Sequence, residues 1–393
     1  MVTSIRRITS WLGHRGRECG VHINRLRQPS HARRVVFCMD GPNDGMASGL
    51  RGYAMADQLR RLGWRATVFP HQLEKCQRSR LFRCESPDVV VLQKARHSLN
   101  CPSLFTGGNV VLDVDDADFL DGALSDRYRE VVSSCDAVIA GSRFVADWAR
   151  QFNPKVTIIW TGKSPSPQYE SWPKKNETPT VIWACSNPHA YLPEAELVKQ
   201  VMLNVRSPEK LSFVLAGVRN ESLADEWLQP LVHRGIQCQK QPFCDYGRFV
   251  QSIGSAHIGL APLLPELSPF SAGKSFGKVL AYLDAYVACI ASNCCDHPQF
   301  FRHGENGMLA DSIDEWVAAV DHLVADEAAR SAMASAAKRD YLTTLTSEAS
   351  ALKLNDALQR VMTDGNGKTQ VFDEQRIQLA DRTVSALLPE GDE

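Results

Sequence analysis

Short apolar runs rich in valine and isoleucine recur along this 393-residue chain, with helical spacing of apolar residues between most of them. Because these runs show little polar alternation, they predict strands that are covered on both faces. Strands that alternate with helices form parallel sheets, so the pattern predicts an α/β fold. The predicted strands are 33–40, 65–70, 88–94, 109–116, 135–142 and 155–162 in a first series, and 179–186, 211–217, 236–243, 256–263 and 287–292 in a second.

A stretch rich in proline, serine and charge, "KSPSPQYESWPKKNET", separates the two series. The chain therefore predicts two doubly wound, Rossmann-like domains that face an interdomain cleft, with ligands at the loops that follow the strands. The predicted divisions are a basic N-terminal extension (1–34), an N-terminal Rossmann-like domain (35–163), a linker (164–178), a C-terminal Rossmann-like domain (179–340), a C-terminal helix (341–362) and a polar tail with a candidate amphipathic helix (363–393).

Composition excludes several classes of protein. The net charge of -1 argues against a protein that coats nucleic acid through bulk electrostatics. The 12 cysteines are spread out with no paired Cys-x-x-Cys motif, which favours reduced thiols in a cytoplasm over a secreted scaffold. No apolar run reaches the roughly 18 to 20 residues that span a membrane, so we expect a soluble protein.

The first 34 residues carry eight arginines against one acid, Glu18, and they lack the apolar core of a signal peptide. Two interpretations stay open. The extension either contacts an anionic membrane surface, with Trp11 and Leu12 as shallow anchors, or is a solvated flexible arm. We therefore expect a cytoplasmic protein, with peripheral contact at the inner face of the membrane as the open alternative.

Two lysines stand four residues apart in "GKSFGKVLAYLDAYVACIAS", at the head of an apolar segment. If the helix begins after Gly273, Lys274 and Lys278 share one face, where their ammonium groups repel each other unless an anion lies between them. Backbone N–H groups at the start of a helix add to the attraction for an anion. The spacing thus predicts an anion site, and the alternative is a solvated lysine face.

The chain resembles the retaining glycosyltransferases of GT-B fold, family 4, and more closely the subgroup with a Lys-Ser-x-x-Lys donor-phosphate motif. The resemblance covers roughly residues 35 to 362 and rests on the order of several motifs. These are "SGLRGYAMADQLRRLGW", "VVVLQK", "LDVDDADF", "CDAVIAGSRFVADWA", "SAHIGLAPL", "GKSFGKVLAYLDAYVACIAS" and "RHGENGMLADSIDEWVAAVDHLVAD". The resemblance implies that 35–163 is an acceptor domain and 179–340 a nucleotide-sugar domain, with a nucleotide-sugar donor and no metal or other cofactor.

In such an enzyme Lys274 and Lys278 would neutralise the leaving diphosphate of the donor. The loop "WACSNPHAYLPE" would form another wall of the donor pocket, and an aromatic residue after a later strand would lie near the base. The candidate donor-binding residues are Gly273, Ser275, Ser186, Asn187, His189, Phe243 and Tyr282.

One position departs from the family pattern. The carboxylate that resembles the family's ribose clamp would fall three residues after Lys278, but this chain has Ala281 there. Either Asp284 or Glu266 supplies the missing group, or the donor site is altered, or activity is lost.

The N-terminal domain contributes a second set of candidates. Gly49 and Arg51 follow the first strand, where glycine allows close approach of a ligand and arginine can bind a phosphate or carboxylate. The candidate catalytic residues are Lys274, Lys278, His97 and Asp115, and the candidate acceptor or cleft residues are Gly49, Arg51, Lys94 and Asp116. The clustered aspartates of "LDVDDADF" suit Mg²⁺ by type, but the resemblance implies that they orient the acceptor or hold basic partners.

The leading functional hypothesis is transfer of a hexosyl or related sugar from a nucleotide sugar to an acceptor hydroxyl, with retention, in glycan or surface-polysaccharide assembly. Its partners would be the donor and a glycan, lipid-linked or other hydroxyl acceptor, and no nucleic acid. The alternative is a non-catalytic nucleotide-sugar-binding GT-B protein or partner subunit. A third hypothesis, a metal-dependent phosphohydrolase of haloacid dehalogenase type, is weakened because "DVDD" lies several strands into the sheet.

Overall fold

The structure, a computed structural model, describes residues 16–28, 32–106, 109–185, 187–364 and 371–372. These residues group into two compact units. Of the described residues, unit 1 comprises those up to Gly141, Val145–Ile159 and those from Ser350 onward, and unit 2 comprises those in Ser142–Phe144 and Trp160–Ala349. Each unit is an α/β unit built on one parallel sheet, as the two series of apolar runs predict.

Unit 1 holds a six-stranded parallel sheet in the order β2-β1-β3-β5-β6-β7. Its central strands β3 and β5 are buried along their whole length, which is why they lack polar alternation. The strands are β1 (Arg34–Cys38), β2 (Arg65–Phe69), β3 (Val89–Gln93), the two-residue β4 (Phe105–Thr106) outside the main sheet, β5 (Asn109–Val114), β6 (Ala137–Ala140) and β7 (Val156–Ile158). Helices α1 (16–26), α2 (Met46–Ser48), α3 (Ala54–Arg61), α4 (Lys75–Glu85), α5 (Ser125–Ser134) and α6 (Arg143–Arg150) occur in this half of the chain.

Helix α1 falls within the predicted basic extension. Its Val21 is buried, the guanidinium of Arg80 on α4 lies 2.8 Å from Glu18, and that of Arg25 lies 2.9 Å from Glu85. This part of the extension therefore packs on unit 1. The proposed membrane anchors Trp11 and Leu12 lie outside the described residues.

Unit 2 holds a second six-stranded parallel sheet in the order β10-β9-β8-β11-β12-β13. The strands are β8 (Thr180–Ala184), β9 (Ser212–Val218), β10 (Gln237–Pro242), β11 (Ile258–Ala261), β12 (Ala288–Ser292) and β13 (Met308–Ala310). The helices are α7 (Leu192–Asn204), α8 (Glu221–His233), α9 (Tyr246–Ser252), α10 (Val279–Asp284), α11 (Ile313–Ala325) and α12 (Glu327–Thr344). The strand order reverses between β8 and β11, and this is the point at which doubly wound sheets bind ligands.

The predicted linker packs on unit 2. Tyr169 is 3% exposed, its hydroxyl donates to the carbonyl oxygen of Val250 at 2.6 Å, and its ring lies where a side chain at Gly254 would clash. Next to it, Asp284 accepts from the ammonium groups of Lys163 at 2.6 Å and Lys338 at 2.8 Å. The segment is thus part of the unit's packing as well as a connection.

The C-terminal helix predicted at 341–362 is two helices in the structure. Helix α12 ends at Thr344, and α13 (Ser347–Asp364) begins after a break at which the hydroxyl of Thr346 accepts from the N–H of Ala349. That hydroxyl satisfies one of the free N–H groups of the new helix and stabilises the interruption. Leu354 and Leu358 of α13 are buried in the core of unit 1, and a short strand β14 (Val371–Phe372) pairs antiparallel with β4.

Over the described parts of the chain, none of the helices combines the length and the apolarity needed to cross a membrane. All 12 cysteines are free thiols.

Candidate functional site

The loops after β8 and β11 meet at the point where the strand order of unit 2 reverses. The hydroxyl of Ser271, in the loop after β11, donates to the carboxylate of Glu194 at 2.6 Å, and Glu194 lies in the first turn of the helix that follows β8. Lys278, also after β11, places its ammonium 4.6 Å from the ring centre of Tyr191 at the end of the β8 loop. The two loops therefore form one continuous surface, which we call the switch-point site.

The helix predicted to begin after Gly273 begins at Val279 instead. Lys274 precedes it in an extended conformation, with φ −74° and ψ 144°, so the two lysines do not share a helix face. Gly273 and Gly277 explain the difference, because glycine loses more backbone entropy in a helix than any other residue. With only six residues, α10 supplies no extended row of N–H groups for an anion.

The two lysines nevertheless influence each other as their spacing suggests. Burial lowers the pKa of Lys278, and the positive charge of Lys274 lowers it further, while Cys185 and Glu194 raise it. The ammonium of Lys274 lies 4.5 Å from the ring centre of Phe270. Within the described chain Lys278 has no ion pair with a carboxylate, so its charge is held against an aromatic ring and a second cation. Both features favour an anionic ligand at this position.

Glu194 is a site residue that the sequence analysis missed. The residue is 2% exposed, one carboxylate oxygen accepts from Ser271, and the other, Oε2, is buried without a hydrogen-bond partner among the described residues. A buried acceptor without a partner is costly unless a ligand supplies a donor. Acidic residues are common in the first turn of a helix, so the sequence Leu-Pro-Glu gives no signal that Glu194 differs from other acids in that position.

Of the three candidate residues in the loop after β8, the structure describes Asn187 and His189. Asn187 accepts from the backbone N–H of His189 at 3.2 Å, a local bond typical of a turn, and Nε2 of His189 is buried with no described partner. Ser186 lies outside the described residues. Ser275, in the loop after β11, is half-buried, and Gly273, two residues before it, is buried.

Two candidates for the donor pocket are core residues in the structure. Tyr282 is fully buried, its ring fills the space left by Gly259, and its hydroxyl accepts from the N–H of Ala184, so it cannot contact a ligand. Asp284 is fully buried between Lys163 and Lys338 and is therefore not free to replace the missing carboxylate at Ala281. Glu266, the other substitute, is exposed.

Phe243 follows β10 and is 44% exposed, so it is not a core aromatic. The guanidinium of Arg219, which follows the neighbouring strand β9, lies 3.6 Å from the centre of the Phe243 ring. Together they form a flat platform at the carboxyl ends of these strands, a surface on which a planar ring can stack.

In unit 1 the carboxyl ends of the strands gather acids around one lysine. Lys94 has a positive φ of 58°, is 5% exposed and lies 3.1 Å from Asp115, 2.8 Å from Asp116 and 3.5 Å from Asp118. Burial alone would lower the pKa of Lys94, but the three carboxylates raise it above its usual value. Burial raises the pKa of Asp115, the charge of Lys94 lowers it and the nearby Asp116 raises it, and the net shift is upward.

The guanidinium of Arg51 is not available to bind a ligand. Its Nε and Nη2 bind both oxygens of the buried Asp113 at 3.0 and 2.5 Å, and Nη1 donates to the carbonyl oxygen of Ile159 at 2.8 Å. Gly49 is needed for packing, because a side chain there would lie 2.5 Å from the carbonyl oxygen of Asn43. Both candidates hold the loop after β1 in place.

His97 is a structural histidine. Its Nδ1 accepts from the N–H of Leu99 at 3.1 Å, so Nε2 carries the proton and donates to the carbonyl oxygen of His71 at 3.0 Å. Burial and the charge of Arg78 lower the pKa of His97 to about 4. With both ring nitrogens occupied and the ring neutral, it is unsuited to catalysis, contrary to its candidacy.

Three histidines make the folded chain sensitive to acid. Burial lowers the pKa of His97, His257 and His297 from 6.5 to about 4. Between those values the unfolded chain binds more protons, so stability falls as pH decreases from 6.5 to 4. For His297, which is 1% exposed, the loss by pH 5 should be about 2 kcal/mol. Urea unfolding at pH 7 and pH 5 measures this loss, with His297→Gln as the variant that should reduce it; equal stability at the two pH values would contradict the assignment.

No group of three His, Cys, Asp or Glu side chains is placed to hold a metal ion within the described segments. The aspartates of "LDVDDADF" are instead occupied by basic side chains, since Asp113 binds Arg51, Asp115 and Asp116 bind Lys94, and Asp118 binds Arg96.

No protein-family model and no curated protein matches the sequence. Solved structures do match. Sucrose-phosphate synthase from Thermosynechococcus elongatus aligns with a TM-score of 0.64 at 10% identity, over 84% of this chain and 100% of that one. The lipopolysaccharide outer core galactosyltransferase WaaB aligns with a TM-score of 0.60 at 11% identity, over 83% and 99%. Anabaena HepE in complex with UDP-glucose aligns with 0.59 at 12% identity, over 84% and 100%. The similarity confirms the GT-B fold, with two Rossmann-like domains.

Proposed function

We propose that the chain is a glycosyltransferase that moves a sugar from a nucleotide-sugar donor to an acceptor hydroxyl with retention of configuration. The observation that carries this proposal is Lys278: a half-buried ammonium beside a second lysine, at the ligand-binding edge of a doubly wound sheet, with no carboxylate ion pair in the described chain. A diphosphate is the ligand that such a pair of cations would neutralise as the bond to the sugar breaks.

The chemistry needs no covalent nucleophile. The leaving diphosphate accepts the proton of the acceptor hydroxyl on the face that it leaves, while Lys274 and Lys278 hold its developing charge. Oε2 of Glu194, buried without a described partner, would accept from a donor hydroxyl and so compensate for Ala281. Phe243 and Arg219 would stack on the base. In unit 1, Asp115 and Asp116, held by Lys94, would orient the acceptor.

The similar structures support this proposal through their stated activities. They include a sucrose-phosphate synthase, a galactosyltransferase and a protein in complex with UDP-glucose. A hexosyl or related sugar and a glycan or lipid-linked acceptor in surface-polysaccharide assembly are the substrates we infer. We also infer a cytoplasmic location and no metal requirement, with peripheral contact of the basic extension at the membrane as the open alternative.

The donor is identified by the nucleotide that stabilises the protein. We expect one of UDP, GDP, ADP or dTDP to raise the melting temperature, because a ligand at about 100 times its Kd adds about 2.7 kcal/mol to folded stability. The sugar nucleotides of that base are then assayed for transfer, and nuclear magnetic resonance of the product gives its anomeric configuration. An inverted product would exclude the retaining mechanism, and the absence of any nucleotide effect would count against donor binding.

A second candidate, a non-catalytic nucleotide-sugar-binding protein or partner subunit, is favoured by one observation. Ala281 is fully buried and Asp284 is occupied by two lysines, so the usual place for a ribose-binding carboxylate offers none. This candidate predicts stabilisation by a nucleotide sugar without hydrolysis or transfer, which the same assay distinguishes.

A further inference from the structure

A cavity of about 340 Å³ opens at the amino ends of the unit 2 strands, the edge of the sheet opposite the switch-point site. His257, in its wall, immediately precedes β11, and its backbone N–H donates to the carbonyl oxygen of Thr180 at the start of β8. Trp172 and Lys175 of the predicted linker, Tyr286 after α10 and Arg330 of α12 line it as well. We call it the amino-edge cavity.

Its deep wall carries nitrogen donors that the protein only partly uses. Arg330 is 7% exposed, and in the described part of the chain its hydrogen bonds are made by Nη1, chiefly to the carbonyl oxygen of Leu323 at 2.6 Å, which leaves the N–H groups of Nε and Nη2. The ammonium of Lys175 donates to the carbonyl oxygens of Ala256 at 2.7 Å and Ala285 at 3.0 Å. Its third N–H has no described acceptor.

The imidazole of His257 adds a third donor. Because Nδ1 accepts from the N–H of Thr180 at 3.0 Å, Nε2 carries the proton, and among the described residues no acceptor meets it. His257 is 8% exposed and lines the cavity. Three different side chains thus bring spare N–H groups to one small space.

Within the described chain no carboxylate forms an ion pair with Lys175 or Arg330. Burial and the charge of Arg330 lower the pKa of Lys175 to about 7, and burial, Arg330 and Lys175 lower the pKa of His257 to about 4. Glu177 and Glu327 line the cavity and are exposed, and Glu327 and Asp326 both raise the pKa of Arg330 against the larger effect of burial. Buried like charges without an ion-paired carboxylate favour an anionic ligand.

We propose that the amino-edge cavity is a second ligand site, which binds a phosphate monoester of a small molecule. The phosphate offers three terminal oxygens to the N–H groups of Lys175, His257 and Arg330. The organic part lies against the rings of Trp172 and Tyr286, whose centres are 4.8 Å apart, and the volume suits a molecule of sugar-phosphate size. This inference does not depend on the proposed transferase activity.

Calorimetry on the full chain tests the site with glucose 6-phosphate and ribose 5-phosphate, and with glucose and inorganic phosphate as their parts. We expect the sugar phosphates to bind, glucose not to bind, and inorganic phosphate to bind more weakly. Lys175→Met and Arg330→Gln should each weaken binding roughly tenfold or more. The exposed Trp172→Ala should weaken the sugar phosphates and leave inorganic phosphate unchanged.

Lys278→Met provides the matched control, because phosphate could also bind at the switch-point site. Binding that survives Lys278→Met and is lost in Lys175→Met supports the amino-edge cavity; the reverse pattern, or no binding of either sugar phosphate, overturns the proposal. If the Lys175 variant fails to fold, wild-type titrations at pH 7 in buffers of different ionisation heat decide instead. A ligand at Lys175 must raise the pKa of its ammonium and draw in protons, and binding without proton uptake overturns the proposal.

Discussion

Replacing Lys278 by methionine should reduce the turnover of the nucleotide-sugar donor by a factor of about 10² to 10³ while leaving the protein folded. Loss of one charge that stabilises a transition state has an effect of this size. The methionine keeps the contact with the Tyr191 ring and removes only the charge. Because the leaving diphosphate gains charge as the bond breaks, kcat should fall more than donor affinity. Steady-state kinetics of donor hydrolysis and transfer, at saturating acceptor, measures both.

Lys199 provides a matched control for this substitution. It lies in the same unit, on α7, and also stands over an aromatic ring, 5.7 Å from the centre of Trp227, but its ammonium is paired with Glu196 at 3.6 Å. Lys199→Met should change turnover less than about twofold, since an ion pair of this kind between neighbouring turns of a helix contributes little. If Lys278→Met and Lys274→Met both turn over donor like the wild type, the proposed role of the lysine pair is wrong.

Much of the fold could be predicted because buried parallel strands appear in the sequence as uninterrupted apolar runs. All eleven predicted strands are present, from the run that contains Val35 to the one that contains Ile290. The missed strands, β4, β13 and β14, are two or three residues long, too short for any periodicity. The break at 345–346 was missed because the apolar spacing continues across it, although the helices on either side belong to different units.

The candidate site was harder to predict, because residue type does not reveal which groups are already paired. Arg51 and Asp284 are residue types that often bind ligands, but each already forms a buried ion pair with a residue distant in sequence. Glu194 is an ordinary helix-start acid, and only packing leaves its Oε2 without a partner. The spacing of Lys274 and Lys278 predicts an anion site, but the helix on which that prediction relied begins only at Val279, after both lysines.

Replacing Asp284 by alanine should destabilise unit 2 by about 3 to 5 kcal/mol, the typical cost of leaving buried charges without their partner. Asp284 is fully buried, and its carboxylate binds the ammonium groups of Lys163 and Lys338 and the N–H of Ser166. Without this carboxylate, the ammonium groups of Lys163 and Lys338 are buried close together with no counterion. The predicted linker, which follows Lys163, also loses its hydrogen bond at Ser166. Urea unfolding at pH 7, followed by circular dichroism, measures the loss.

Asp225 gives the control for this substitution, because it pairs with Lys240 at 2.7 Å on the surface, 66% exposed. Asp225→Ala should cost less than about 1 kcal/mol. The ion pairs also fix the pH dependence: burial raises the pKa of Asp284, but its two lysines outweigh it and hold the pKa below the usual 3.8. Its contribution is therefore complete above about pH 4 and disappears as pH falls through the folded-state pKa. At pH 7 the two variants should differ by more than about 2 kcal/mol, and equal losses would show that the buried triad contributes no more than a surface pair.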